Sequence, residues 1–182
     1  MEESSDETRA YWDYYYMTAY PNATPIYTYQ DSDDPYTYYS STRRFNCHGY
    51  AWYMTSAEGL GLDDPRWIGY YSGNTDEYIY WQDESYTEVL SEVYPGIVSW
   101  DPEEGGDHSA ITTSTSGRYI SKWNQWPLME HNWDDSPFGT PNFKYYQLNC
   151  LRKIVSKTIN TDIIRTGCHI LLKNSKISND VD

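Results

Sequence analysis

One well-capped helix leading into a train of short β-prone runs is the feature that most limits the folds open to this chain. Asn46 is a good N-cap, Tyr50, Ala51, Tyr53 and Met54 make an apolar face at helical spacing, and Gly59 and Gly61 supply the stop. A second helix is expected through 87–93. Then come Ile97-Val98-Ser99-Trp100, Ser109-Ala110-Ile111-Thr112-Thr113, Arg118-Tyr119-Ile120-Ser121-Lys122-Trp123 and a run from Phe143 to Leu148. Each is short, β-branched or aromatic, and bounded by Gly- and Asp-rich turns. Helix first and strands after predict an α+β layout in which a helix packs on an antiparallel sheet. No internal repeat is visible.

The flanks differ from this centre. The opening stretch, 1–42, is rich in Tyr, Asp, Ser and Pro, with turn signals at Tyr20-Pro21-Asn22 and Asp33-Asp34-Pro35. It reads as an irregular wrapping segment with one short helix around 11–19. The central domain is expected over 43–149. Beyond it, 150–182 turns basic and aliphatic, as one or two terminal strands or the start of a further module. At 182 residues the chain suits one catalytic-sized domain.

Charge and composition narrow the partners. With 27 acidic against 13 basic residues and a net charge of −14, the chain lacks the basic face that phosphate binding needs, which argues against nucleic acid. The 21 Tyr and 8 Trp against 3 Phe make a core whose rings carry polar tips and suit polar ligands. No apolar run is long enough to span a membrane, and Met1-Glu-Glu-Ser-Ser-Asp lacks the basic and apolar regions of a signal peptide. Of the three cysteines, Cys150 and Cys168 lie together in the tail, either bridged or as two thiols, and Cys47 stands apart.

Cys47 follows the N-cap directly, so its sulfur sits where the helix dipole and first-turn N–H groups favour a thiolate. His108 follows Gly105-Gly106-Asp107 and opens a strand, a rigid placement for a general base. A cysteine and a histidine at two element starts match the logic of a thiol hydrolase, against the plainer reading of a buried cysteine and a surface histidine.

Four motifs carry a resemblance. Phe45-Asn46-Cys47-His48-Gly49-Tyr50-Ala51 resembles the Asp-Cys-Ser-Gly-aromatic signature of the catalytic helix in the NlpC family of papain-like cell-wall endopeptidases. Pro95-Gly96-Ile97-Val98, Asp107-His108-Ser109-Ala110-Ile111 and Gly117-Arg118-Tyr119-Ile120-Ser121 resemble its following strands, in the same order, over residues 35 to 125. Related amidases with a Cys and then a His-Ser-Ala-Ile strand fit equally well. The resemblance implies an NlpC-type papain-like fold, with Cys47 as nucleophile, His108 as base and Ser121 in the third position that orients the imidazole. His131 or a backbone carbonyl is the alternative orienter. Tyr36 stands near the family's upstream tyrosine and is the candidate oxyanion donor, and His131 a candidate substrate contact. The implied reaction is hydrolysis of an amide in a peptidoglycan peptide, without cofactor, by a secreted or cell-envelope protein. The insertion 59–94 would shape the pocket. Asn46 and His48 depart from the family's Asp and Ser, and Ile97 from its Asp.

Other readings come from the same residues. Trp123 to Leu128 and His131 to Asp135 form an aromatic, acidic lobe that either lines a groove or packs over the sheet. A non-catalytic glycan- or peptide-binding module would use such rings and keep Cys47 buried and inert. Cys47, His48, His108 and His131 are also metal-ligand types, though without a close Cys-x-x-Cys or His-x-x-x-His pair.

Overall fold

The computed structural model describes residues 2–31, 33–55, 67–68, 86–100, 108–138 and 141–149. The glycine stop expected at 59–61, most of the 59–94 insertion, residues 101–107, and the tail with Cys150 and Cys168 lie outside the described residues. Among the described residues the architecture is α+β, with two helices, a seven-stranded antiparallel sheet and a small two-stranded one.

Helix α1 (Asp6–Ala19) opens the chain, five residues earlier than the sequence predicts. Ser5 caps it by accepting the Thr8 N–H at 3.3 Å, and Asp6 and Glu7 complement the positive end. Its buried positions are Arg9, Asp13 and Tyr16, four and then three apart. Two of the three are charged, so the helical spacing is present while the apolar signal is absent. Three two-residue strands follow: β1 (Thr24–Pro25), β2 (Tyr29–Gln30) and β3 (Tyr38–Tyr39), the last two forming a small sheet of their own.

Helix α2 (Cys47–Thr55) then leads to β4 (Tyr86–Val89), β5 (Ile97–Trp100), β6 (His108–Thr112), β7 (Arg118–Lys122), β8 (Leu128–Asn132) and β9 (Phe143–Leu148). The main sheet runs β1-β8-β7-β6-β5-β9-β4, so a strand from the opening segment forms one edge. That segment is built into the fold rather than wrapped around it. Two sequence expectations are corrected. The helix expected over 87–93 is instead strand β4, paired with β9 from Tyr86↔Leu148 to Val89↔Tyr145 and tied by the Lys144–Glu88 ion pair at 3.3 Å. Strand β8, expected as part of a loop lobe, pairs with β7 along five residues.

Strand alternation divides the core into two faces. On one, Ile97, Ile111, Leu128 and Tyr146 meet Ala51 and Trp52 of α2. On the other, Val98, Trp100, Ala110 and Tyr119 cluster with Phe143 and Tyr145. Tyr16 of α1 packs with Trp123 and Met129, and Trp12, Tyr20, Trp126 and Phe138 close around them. The Trp123–Trp126 lobe is therefore mostly packing against α1, with ring centroids 5.0 to 5.6 Å apart.

Candidate active site

The site begins with Asn46. Its Oδ1 accepts the Gly49 N–H at 3.0 Å, the N-cap bond the sequence predicts, and also the Ile68 N–H at 3.1 Å. Its Nδ2 donates to the Ile68 carbonyl at 2.6 Å. An aspartate could cap the helix but has no donor for that carbonyl. The cap holds Cys47 as the first residue of α2, where the residue is buried, 6 % exposed.

Lys122, on the α2 side of β7, is fully buried, and the sequence reading passed over it. Its register partner is Leu128. Its ammonium donates to the carbonyls of Asn124 (3.1 Å) and Trp126 and sits 5.6 Å from the Phe45 ring centroid. Burial pulls its pKa down to about 7, and the charges of Asp13, Glu3 and Cys47 pull the other way. Lysine and cysteine are thus close enough to act on one another electrostatically. Asp13, buried in α1, accepts from the Ser40 N–H (2.8 Å), the Ser41 N–H (2.9 Å) and the Ser41 hydroxyl (2.6 Å). Burial raises its pKa against the lowering effect of those bonds and of Lys122. A stretch of isolated lysine and aspartate in a β-prone run and a tyrosine-rich helix gives no sequence signal that the two share a buried site.

The histidines separate. His48 follows Cys47 and hydrogen-bonds Ser109 through Nδ1 at 2.9 Å beneath α2, with burial holding its pKa at about 4. Ser109 therefore faces α2, and by alternation His108 faces the opposite side. There the His108 ring stacks on Phe138 at 4.2 Å and lies 5.2 Å from Trp100, its partner across β5. It is 0 % exposed, and among the described residues neither ring nitrogen has a hydrogen-bond partner. Burial, then the neighbouring His131 and His48, hold its pKa well below the ordinary histidine value. The structure does not join His108 to Cys47 as the sequence expected, because one residue of strand register decides which of His108 and Ser109 meets the helix.

Ser121 does share the His108 face, but its hydroxyl is engaged by His131 Nε2 at 2.6 Å and by the Trp123 indole N–H at 3.0 Å. His131 Nδ1 faces the Asn132 carbonyl at 2.7 Å, so this nitrogen carries the proton and Nε2 accepts from Ser121. These bonds fix a buried Ser121–His131–Trp123 network and leave no Ser121 bond to His108. Burial holds the His131 pKa at about 4. Tyr36 is 90 % exposed in the turn between β2 and β3, its N–H held by Asp34, so it stands in solvent rather than beside a buried nucleophile. Among the described residues no group of three or more His, Cys, Asp or Glu is placed to hold a metal ion. No helix among them is long and apolar enough to cross a membrane. The chain matches no protein-family model, no curated protein and no solved structure.

Proposed function

We propose that this chain is a thiol hydrolase that cleaves an amide bond in a peptide, with Cys47 as nucleophile. The observation that carries the reading is Cys47 in the first turn of a capped helix with the buried Lys122 cation acting on it. That is the electropositive setting in which a thiol becomes a thiolate. The order of elements, helix and then antiparallel strands, suits the papain-like arrangement that the four motifs resemble, and a cell-wall peptide in the cell envelope is the corresponding substrate and place.

The proton acceptor differs from the family pattern. A lysine with a pKa of about 7 is matched to taking up and returning a proton near neutral pH. Lys122 in its neutral form takes the Cys47 proton, which leaves an ammonium cation beside the thiolate, and the sulfur attacks the amide carbon to form a C–S bond. The C–N bond breaks as Lys122 returns a proton to the leaving amine, and water then hydrolyses the thioester. His108 and Ser121, on the far face, act by holding the sheet that carries Lys122.

The test is to incubate wild type and Cys47→Ala with γ-D-glutamyl-containing muropeptides and follow cleavage and intact protein mass. Cleavage that needs Cys47, with a transient adduct of acyl mass on the wild type, is the expected result. No cleavage and no adduct would count against the hydrolase reading. One observation favours the second reading, a non-catalytic binding module: Cys47 and His108 are both shielded from solvent. Under that reading both proteins bind muropeptides equally and neither is acylated.

A further inference from the structure

Between the opening segment and α2 lies a cavity of about 310 Å3. It is at the small end of the roughly 300 to 1,000 Å3 typical of ligand sites. Four rings contribute to its walls: Tyr29 from β2, Phe45 just before α2, and Tyr50 and Tyr53 from the helix. Phe45 and Tyr50 stack on one another at 5.8 Å, which gives the cavity a flat, apolar side. Among the described residues, the one charged lining residue is Arg44. In a chain of 27 acidic and 13 basic residues, a cavity whose described lining includes a cation and no carboxylate is a local departure from the acidic average.

That cation is available. The Arg44 side chain is 61 % exposed, with its guanidinium 5.0 Å from the Tyr29 ring centroid. Its approach to Glu3 is a long 3.9 Å. The Glu3 carboxylate is committed elsewhere, accepting from the Thr42 hydroxyl at 2.6 Å and the Arg43 N–H at 2.9 Å. A guanidinium over a ring, beside an apolar slot, presents a fork to a carboxylate while the slot takes the body attached to it.

We infer that this cavity binds a small carboxylate carrying an aromatic ring, the ring lying among Phe45, Tyr50 and Tyr53 and the carboxylate on Arg44. The inference stands on the cavity and its charge, and holds whether or not Cys47 turns over a substrate. The opening segment thereby supplies half of a ligand site, with Thr28 and Tyr29 facing the helix across it.

Isothermal titration of the full chain with 3-phenylpropionate and its neutral analogue 3-phenylpropanamide tests it. The acid should bind saturably and at least about ten-fold more tightly than the amide. Arg44→Gln, at an exposed side chain, should weaken the acid by about ten-fold, the scale of one charge-assisted hydrogen bond, and leave the amide unchanged. Thr28→Trp, which fills the cavity from an exposed position whose backbone N–H keeps its bond to Tyr39, should abolish binding of both. Absence of saturable binding at millimolar acid, equal affinity for acid and amide, or an unaltered titration in either variant would overturn the inference.

Discussion

Keeping a charge on a side chain without access to water costs several kcal/mol unless its neighbours return that energy, and Lys122 sits near the balance point. Its pKa is about 7 in the folded chain and an ordinary 10.5 when exposed. Between these values the unfolded chain holds a proton that the folded chain has shed, so stability rises with pH across that window. Urea unfolding should show this rise in the wild type, and Lys122→Met should lack it. Parallel profiles would mean that the lysine keeps its proton throughout. The histidines act at lower pH. His48, His108 and His131 all have folded pKa values below the ordinary 6.5, so their contribution is complete above pH 6.5 and is lost as pH falls. Thermal unfolding should therefore drop steeply below pH 6.5, and His108→Phe should make the drop shallower by about one proton. Cys47 and His108 were legible in the sequence as residue types at element starts. Which way His108 points was not, because period-two alternation makes a strand face depend on pairing with β5 and β7.

At the scale of elements, the Asn46 bonds couple the start of α2 to the backbone at Ile68. Asn46→Ala removes the cap and strands two buried backbone groups, an expected loss of about 2 to 4 kcal/mol. Asn46→Asp should also destabilise, by about 1 to 3 kcal/mol, although aspartate caps as well as asparagine, because its carboxylate faces the Ile68 carbonyl. Equal stability of wild type and Asn46→Asp in denaturant titration would show that the cap alone matters. Gly96 leads into β5 between β6 and β9. A Cβ there would lie 2.8 Å from the Val93 carbonyl oxygen and 3.0 Å from that of Tyr146, both backbone atoms. Gly96→Ala should cost about 1 to 3 kcal/mol, and an unchanged unfolding midpoint would contradict so close an approach. Strands β5, β6, β7 and β9 were readable because each carries β-branched or aromatic residues in a short run bounded by turn signals. Strand β4 was not, since Tyr-Thr-Glu-Val followed by Leu-Ser-Glu-Val also fits a helical spacing and only pairing with β9 decides. Strand β8 was hidden because its inward positions include Met129 and His131, the latter polar and satisfied by Ser121.

For the whole molecule, the opening segment is the clasp. Asp13 of α1 holds the Ser40–Ser41 backbone, Ser40 in turn accepts the Leu128 N–H at 2.9 Å, and β1 closes the sheet on β8. In the sequence this segment looks like a wrapping because its short strands and polar helix face carry little hydrophobic pattern. Its connection to the sheet is written in hydrogen bonds between residues 27 to 88 positions apart, which no local pattern reports. The same long-range assembly brings Asp13 and Glu3 toward Lys122, and Lys122 toward Cys47. The most direct measurement is the rate of iodoacetamide labelling at Cys47 against pH, located by mass spectrometry, in wild type, Lys122→Met and His108→Phe. An ordinary thiol reacts with a midpoint of about 8.5. The expected wild-type profile persists well below that value, moves upward in Lys122→Met and is unchanged in His108→Phe. A profile that moves with His108 and ignores Lys122, or an ordinary thiol profile in all three proteins, would contradict a cysteine activated by the buried lysine.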